Sequence, residues 1–369
     1  MSSTDDRFAH LRSSTGHTRR AVLIALGAAG AAVSGLVTPG DLAAKKKKKK
    51  KTWRYSTQFG SVGTDDNNFS APYAVVISAN KRTAWVADNA NHRIAVWTRP
   101  TANSTVWTFS TKFGGHGTGD TEFDFPSDIA ISADELTAFV ADQGNNRISI
   151  WTRPSNTSPT WSYSSQFGTP GTDDGNLLGP MGIALSADGL TAFVADYVNK
   201  RVVIWTRGSN PNDWSYSSKF GTYGSGIGQF GSPARVALSA NGRTLLVADN
   251  GNNCISVWDQ QDANQSVWSN SATFGAGGID LGNLKNPSDV ALSADGRTAW
   301  VADSENHRIA IWTRPSATST AWTNTTTFGS FGSDDPNFNY PEALAVSPDG
   351  KTLWVADTLN HRISIWKFA

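Results

Sequence analysis

The sequence predicts an all-β protein, a closed ring of six four-stranded antiparallel blades, and two observations carry that prediction. The tripeptide Val-Ala-Asp occurs six times, and its aspartates are 53 or 54 residues apart. Within each repeat the apolar residues alternate as in strands, and no segment shows helical spacing over ten or more residues. A repeat of this length with four short strands is typical of a propeller blade, which is stable only against neighbouring blades.

The second repeat shows the order of the elements. Pro126 opens an apolar strand, a Ser-Ala-Asp-Glu turn follows, and residues 137–140 form the second strand. The third strand runs over residues 147–151, where isoleucines alternate with serine. A connection rich in Pro, Ser and Asn leads to residues 161–167, which supply the fourth strand.

The phase of the repeat predicts how the ring closes. The first strand-like segment, residues 53–59, has the pattern of a fourth strand, whereas the chain ends on a third strand, residues 362–366. We therefore expect the N-terminal segment to complete the last blade, which ties the termini together and stops the ring from opening. Residues 52–369 give about 53 residues per blade and leave no room for a second domain.

The first 44 residues have the pattern of an export signal. Arg19 and Arg20 precede a charge-free run rich in Ala and Gly over residues 21–37, which resembles a bacterial twin-arginine signal. An uncleaved membrane anchor is the alternative, although the run is at the short limit for a span. Cleavage after Ala44 would place Leu42 where a small residue is preferred, so the cleavage site stays open. The prediction is export across the cytoplasmic membrane, to the medium or the cell envelope.

Charge is distributed unevenly along the chain. Residues 45–51 are seven lysines, whereas residues 52–369 contain 21 Lys and Arg against 28 Asp and Glu. Seven like charges with no apolar residue predict a disordered tail, which either binds an anionic surface or is a solvated spacer. An acidic body argues against a nucleic-acid partner. The single cysteine, Cys254, excludes an intramolecular disulfide and a cysteine-based zinc site.

Each Val-Ala-Asp motif is followed by a second motif. The stretches 88–94, 303–309 and 357–363 read Asp-x-x-Asn-His-Arg-Ile, and related sequences occur in all six repeats. This pattern resembles the NHL repeat, over residues 52–369. Asn146, Lys200 and Asn253 depart from it at the His position, and Cys254 departs at the Arg position. The resemblance implies a six-bladed propeller, but the family includes binding scaffolds, peptidyl-amidating lyases and metal-dependent enzymes, so it leaves function open.

The repeated aspartate and arginine are expected to be structural. An Asp that ends the second strand and an Arg that begins the third lie across one hairpin, where they can pair bidentately. The predicted structural residues are Asp88, Asp142, Asp196, Asp249, Asp303, Asp357, Arg93, Arg147, Arg201, Arg308 and Arg362. Asp249 has Cys254 in place of the arginine, so the fourth blade is expected to be the least stable.

Two further sets of side chains allow a functional interpretation. Trp pairs across one loop, such as Trp97 with Trp107, could stack on sugars, but their presence in every blade favours packing. His92, His307 and His361 suggest a zinc site. In a six-fold ring, however, third-strand positions are too far from the axis for three nitrogens to lie about 2.0–2.1 Å from one ion.

Ligand-binding residues are expected near the axis, where the inner strands converge. Asp128, Arg235, Asp289 and Glu342 interrupt the apolar inner strands and are the candidate funnel residues. They could bind a polar ligand, or calcium through the carboxylates. Alternatively, Arg235 and Asp289 on adjacent blades neutralise each other. Asp128 and Asp289 lie on opposite blades, so one ion could reach both only in a very narrow funnel.

The predicted function is a monomeric, non-catalytic scaffold that binds a protein or envelope polymer through its loop face and requires no cofactor. Loops leading into the inner strands are acidic, which indicates solvated turns or, alternatively, a site for a cation or a cationic partner. No sequence signature of a catalytic nucleophile or phosphate loop is found, so no catalytic residue is assigned. The alternative is a calcium-dependent lyase or lactone hydrolase with its site in the funnel.

Overall fold

The computed structural model describes residues 51–260 and 267–369, and it confirms the prediction of six four-stranded antiparallel blades. The strands up to the second blade are β1 (Trp53–Phe59), β2 (Pro72–Ile77), β3 (Thr83–Asp88), β4 (Arg93–Thr98), β5 (Thr108–Phe113), β6 (Pro126–Ile131), β7 (Thr137–Asp142), β8 (Arg147–Thr152) and β9 (Ser162–Phe167). Those of the third and fourth blades, with their short loop strands, are β10 (Thr169–Pro170), β11 (Asn176–Leu177), β12 (Pro180–Leu185), β13 (Thr191–Asp196), β14 (Arg201–Arg207), β15 (Trp214–Phe220), β16 (Thr222–Tyr223), β17 (Gln229–Phe230), β18 (Pro233–Leu238), β19 (Thr244–Asp249), β20 (Cys254–Gln260) and β21 (Trp268–Phe274). The last two blades add β22 (Pro287–Leu292), β23 (Thr298–Asp303), β24 (Arg308–Thr313), β25 (Thr323–Phe328), β26 (Pro341–Val346), β27 (Thr352–Asp357) and β28 (Arg362–Phe368).

The inner strands form the ring. They are β2, β6, β12, β18, β22 and β26, and each contacts the next in chain order, with β26 returning to β2. Every blade then extends outward through consecutive antiparallel strands, so that β3 pairs with β4 from Thr83 opposite Thr98 to Asp88 opposite Arg93. The positions after each opening proline therefore lie closest to the axis.

The ring closes as the repeat phase predicts. Strand β1 is the outer strand of the sixth blade and pairs with β28, from Trp53 opposite Phe368 to Phe59 opposite Ile363. At the end of this pair the Thr52 N–H donates to the Ala369 carbonyl at 2.9 Å. The two ends of the propeller are thus held in one sheet, which ties the first strand to the last and completes the sixth blade.

Aromatic stacking joins neighbouring blades. The phenylalanine that ends each outer strand stacks on the Trp that precedes or begins the next outer strand, with ring centroids 4.8–5.9 Å apart. The six pairs are Phe59–Trp107, Phe113–Trp161, Phe167–Trp214, Phe220–Trp268, Phe274–Trp322 and Phe328–Trp53. Trp97 and Trp107 are both buried in this packing. Stacked pairs contribute about 0.5–1.5 kcal/mol each beyond area burial, so packing accounts for these residues.

The loops between each outer strand and the next inner strand fold back on themselves. They contain the parallel pairs β10–β11 and β16–β17 and four isolated parallel bridges, one of which joins His116 to Phe123. These loops, together with the turns between second and third strands, form one side of the ring, the loop face. Three of these turns contain a 3-10 helix, at Asn89–Asn91, Ser304–Asn306 and Thr358–Asn360.

The predicted export signal, residues 1–44, and six of the seven lysines lie outside the described residues. Residues 51–369 form one compact unit. In the part of the chain that the structure describes, the helices are short 3-10 turns, and none has the length and apolar character of a membrane span.

Candidate functional site

The axis of the ring is occupied by the side chain of Arg235. This residue lies on β18 of the fourth blade and is only 2% exposed. Its Nη1 donates to the Glu342 carbonyl at 2.7 Å, and its Nη2 donates to the carbonyls of Tyr73 and Ser127, also at 2.7 Å. These carbonyls belong to the sixth, first and second blades, so one guanidinium links four of the six blades. We call this arrangement the axial hub.

Glycine in the third blade makes room for the hub. Gly182 occupies on β12 the position that Asp128 and Asp289 occupy in their own blades. A Cβ atom there would lie 2.6 Å from the Ala234 carbonyl oxygen and 2.7 Å from the Arg235 Cα. Any side chain at residue 182 would therefore displace the backbone that carries Arg235.

The two predicted axial aspartates join adjacent blades. Asp128 accepts the N–H of Ile129 and, from the third blade, that of Ile183, both at 2.9 Å. Asp289 accepts the N–H of Val290 and, from the sixth blade, that of Leu344, both at 2.8 Å. Both oxygens of each carboxylate are therefore used in hydrogen bonds to backbone.

The ion pair at the axis is not the one expected if Arg235 and Asp289 simply neutralised each other. The ion pair that the structure shows joins the Arg235 Nε to Asp128 Oδ1 at 3.6 Å, because the side chain crosses towards the second blade. Burial raises the pKa of Asp289 to about 7, an effect that Arg235 opposes and Asp128 reinforces. Burial also raises the pKa of Asp128. The charged forms of both groups are thus disfavoured by the loss of water.

The structure brings the candidate funnel residues together, and their contacts hold one another and the neighbouring backbone in place. Arg235 contacts both the Glu342 backbone and the Asp128 carboxylate, and Asp289 bonds to the strand that carries Glu342. A calcium ion needs six to eight oxygen ligands at about 2.3–2.6 Å, and the oxygens of Asp128 and Asp289 already accept N–H groups. These carboxylates therefore do not fit a shared calcium site.

The repeated Asp and Arg form a clamp at the base of each loop, with a geometry that differs from the expected bidentate pair. Arg93 donates only Nε to Asp88, at 2.7 Å, while Nη2 donates to the carbonyls of Asp65 and Asn68. Asn91 bonds both Asp88 and the Gly63 carbonyl. The bidentate expectation was wrong because the guanidinium divides its donors between the carboxylate and the loop backbone. The same Nε bond, at 2.7–2.8 Å, occurs in Arg147–Asp142, Arg201–Asp196, Arg308–Asp303 and Arg362–Asp357.

The fourth blade compensates in part for the missing arginine. Cys254 is buried where the other blades have arginine, and it offers no donor comparable to a guanidinium. Asp249 instead accepts the N–H groups of Gly231 and Ser232 at 2.9–3.1 Å and the amide of Asn252 at 2.7 Å. The loop of this blade is therefore held by the aspartate and by Asn252, which also donates to the Gly224 carbonyl at 2.9 Å, without a guanidinium.

Residues at the His position connect each blade to the next. The Nδ1 atoms of His92, His307 and His361 each accept a backbone N–H from the following blade at 3.1–3.2 Å. Asn146 and Asn253 use their side-chain oxygen in the same way at 2.8 Å. At five junctions a histidine or an asparagine therefore provides an acceptor, whereas at the sixth the Lys200 Nζ donates to the Ser232 Oγ of the following blade at 2.9 Å. The three histidines therefore lie at three separate blade junctions and do not share a zinc ion, and the departures Asn146 and Asn253 keep the same acceptor role.

The loop face carries exposed apolar side chains beside carboxylates. Tyr223, Ile227 and Phe331 are exposed, and Ile227 is 91% exposed. The remaining exposed apolar residues in these loops include Val62, Phe125, Ile279 and Leu281. The acidic residues predicted for this face are exposed at Asp65, Asp66, Asp120, Asp173, Asp174, Asp280, Asp334 and Asp335, whereas Glu122 and Asp124 are half-buried. Sequence reasoning identified the carboxylates but missed the apolar loop tips, which are single residues without periodicity.

The fold and these sites define a β-propeller with a filled axis and a varied loop face. The chain belongs to the lactonase, seven-bladed β-propeller family, whose family model matches residues 57–320. This chain nevertheless closes its ring with six blades. A model of the NHL repeat matches residues 338–366, which supports the resemblance in the last blade.

Solved structures of other proteins share the fold. A candidate 6-phosphogluconolactonase from Bacteroides uniformis has a TM-score of 0.58 and 14% identity, covering 86% of this chain and 92% of that one. Another from Bacteroides fragilis has a TM-score of 0.57 and 12% identity, covering 87% and 92%. The propeller domain of Myceliophteria thermophila Cps50 has a TM-score of 0.52 and 14% identity, covering 81% and 98%. At these identities the matches show the fold alone, and no curated protein sequence matches significantly.

Proposed function

We propose that the protein is a binding propeller that engages a protein partner through its loop face. The observation that carries this proposal is the contrast between a filled axis and the exposed apolar tips Tyr223, Ile227, Ile279 and Phe331. Large apolar side chains that project beside polar groups are typical of interaction surfaces, because a partner removes them from water. Aromatic residues in particular are enriched in protein interfaces.

The chemistry of the face defines the partner. Exposed carboxylates lie on the same loops as the apolar tips, and some of them already pair with lysine, as Asp66 does with Lys112 at 2.6 Å. We therefore expect a partner that presents apolar side chains surrounded by Lys or Arg. Charge complementarity of this kind accelerates association and weakens with salt.

Site-specific photo-cross-linking tests this proposal. The full chain carries a photoreactive residue at Tyr223 or, as a control, at Val106, which is exposed on the opposite side of the ring. With an envelope fraction, we expect position 223 to yield a discrete protein adduct that Val106 does not yield. The adduct should be lost in the double variant Ile227→Ser/Phe331→Ser and retained in Val267→Ser. Equal adducts from both sides, a polymer adduct or no adduct would contradict the proposal.

Lactone hydrolysis is the second candidate, and the family match favours it. Two of the structural neighbours are candidate 6-phosphogluconolactonases. Sugar lactones are therefore the substrate class to test. The assay is hydrolysis of glucono-δ-lactone and its 6-phosphate by the full chain, with and without calcium. The binding proposal expects no rate above background. Turnover that is lost in Glu342→Gln would instead establish the enzyme.

We also propose that residues 1–44 export the protein through a folded-protein route and that the lysines bind an anionic surface. The support is the Arg19-Arg20 pair before the apolar run and the seven lysines after it. Changing Arg19 and Arg20 to lysine should leave the precursor in the cytoplasm, since folded-protein export depends on the arginine pair. Export that continues unchanged in that variant would contradict the assignment.

A further inference from the structure

Three side chains with metal-binding atoms meet on the loop face between the first and second blades. His92 lies in the turn of the first blade, while His116 and Asp124 lie in the loop that enters the second. The His92 Nδ1 is 3.6 Å from Asp124 Oδ1, and the His116 Nε2 is 3.7 Å from the same oxygen. The two imidazole rings are in contact, with centroids 4.2 Å apart.

These separations fit a single transition-metal ion. One ligand atom from each residue can be chosen so that all three lie within 4.8 Å of one another. Ligand atoms bound to zinc at about 2.0–2.1 Å in a tetrahedron lie roughly 3.4 Å apart. The observed distances therefore need only small side-chain rotations. Two histidines and one carboxylate also form a donor set that zinc and iron(II) use with open positions.

The backbone around the three residues is held firmly. The Phe123 N–H donates to the Gly115 carbonyl at 2.7 Å, and His116 forms a parallel bridge with Phe123. These contacts fix the backbone of His116. The Asp124 N–H donates to Asp142 at 2.7 Å, and its carbonyl accepts the Gly144 N–H at 2.7 Å. Because these bonds belong to the blade architecture, the donor atoms are pre-positioned before any ion binds.

Two other junctions of the same ring serve as internal comparisons. His361 makes the same hydrogen bond as His92, but the positions that correspond to His116 and Asp124 are there Val62 and Ser70. At the His307 junction these positions are Phe331 and Asn339. Blade packing thus explains a histidine at the position of His92. It does not explain His116 and Asp124, because the other two junctions pack without His or Asp at the corresponding positions.

We propose that His92, His116 and Asp124 form a site for one divalent transition-metal ion, with zinc as the best fit. His116 is 70% exposed, so the ion would keep at least one position open to solvent or to a partner. Binding through the His92 Nδ1 displaces the Phe125 N–H that donates to it at 3.1 Å. Phe125 is itself exposed, so the released N–H can bond to water.

Metal titration of the full chain, first stripped with a chelator, tests the site. We expect one equivalent of cobalt(II) to bind with a visible absorption band and one equivalent of zinc(II) to displace it. His92→Asn should weaken binding at least tenfold, and His116→Val and Asp124→Ser should do the same. His307→Asn is the matched control and should bind as the unchanged protein does.

The His92→Asn variant separates metal binding from folding. Asparagine already replaces this histidine in the second and fourth blades, where Asn146 Oδ1 accepts the Gly179 N–H at 2.8 Å. The thermal midpoint without metal should therefore be unchanged. His10 and His17 are present in every variant, so any binding there is common to all of them. No cobalt or zinc binding at millimolar metal, or equal binding in His92→Asn and His307→Asn, would show that the proposal is wrong.

Discussion

The axis and the loop face of this propeller use polar residues in opposite ways. At the axis, Arg235 and Asp289 are buried, and the Arg235 Nη atoms and the Asp289 carboxylate bond to the backbone of other blades. On the loop face the carboxylates are mostly exposed, and apolar residues such as Ile227 lie among them. Polar residues on the inner strands therefore hold the ring together, whereas the residues at the loop tips are exposed and available to bind other molecules.

The largest effect is expected from removing the guanidinium of the axial hub. Arg235→Met leaves the carbonyls of Tyr73, Ser127 and Glu342 without their donor and Asp128 without its nearby cation. We expect the free energy of unfolding to fall by about 3–5 kcal/mol, the cost of breaking a buried charged network. Denaturant titration measures this change, with Arg243→Met, an exposed position of the same blade, as control. A loss no larger than that of the control would contradict the hub.

The next effect concerns the clamp that the fourth blade lacks. Cys254→Arg gives Asp249 a charged donor and gives the loop backbone the donors that Arg93 supplies in the first blade. A hydrogen bond to a charged group contributes about 1.5–3 kcal/mol, so we expect a gain of about 1–2 kcal/mol. The reciprocal change, Arg201→Cys, should destabilise the third blade. If the thermal midpoint of Cys254→Arg is unchanged or lower, the pairing account of the blades is wrong.

A smaller effect, which depends on pH, is expected on the stability contribution of the buried Asp289 at the axis. The pKa of Asp289 is about 7 in the folded protein and about 3.9 when unfolded, so its stabilising contribution falls as pH rises from about 4 to about 7. Asp289→Asn removes that dependence. The variant should be less destabilised, relative to the unchanged protein, at pH 6.5 than at pH 5.5, by an amount on the order of 1 kcal/mol, since one pKa unit corresponds to about 1.4 kcal/mol. Thermal unfolding at both pH values measures it, and an equal or reversed difference would count against a raised pKa.

The smallest effect is expected at the loop tips. Ile227→Ser removes an apolar side chain that is 91% exposed, so its contacts with the protein are few. Surface changes of this kind stay within about 0.5 kcal/mol. We expect an unchanged thermal midpoint together with a weaker cross-linked adduct, which is lost completely in the double variant with Phe331→Ser. A destabilisation above about 1 kcal/mol would mean that the tip packs within the ring and is not available to a partner.

The role of the axial residues shows where sequence interpretation ends. Asp128, Arg235, Asp289 and Glu342 interrupt the apolar inner strands, and the structure does bring them to the axis. Their pattern does not distinguish a ligand site from a structural network, since both need buried polar groups. That distinction depends on Arg235 crossing to the carbonyls of three other blades, which no local motif encodes.

Repetition makes the number of blades, the strand order and the closing strand readable from the chain, because every repeat carries its own alternation of apolar and polar residues. The meeting of His92 with His116 and Asp124, and the filling of the axis by Arg235, depend instead on how adjacent blades pack and where each side chain points. These contacts join residues whose separation in space is set by the twist and radius of the assembled ring. Only the folded molecule therefore establishes them.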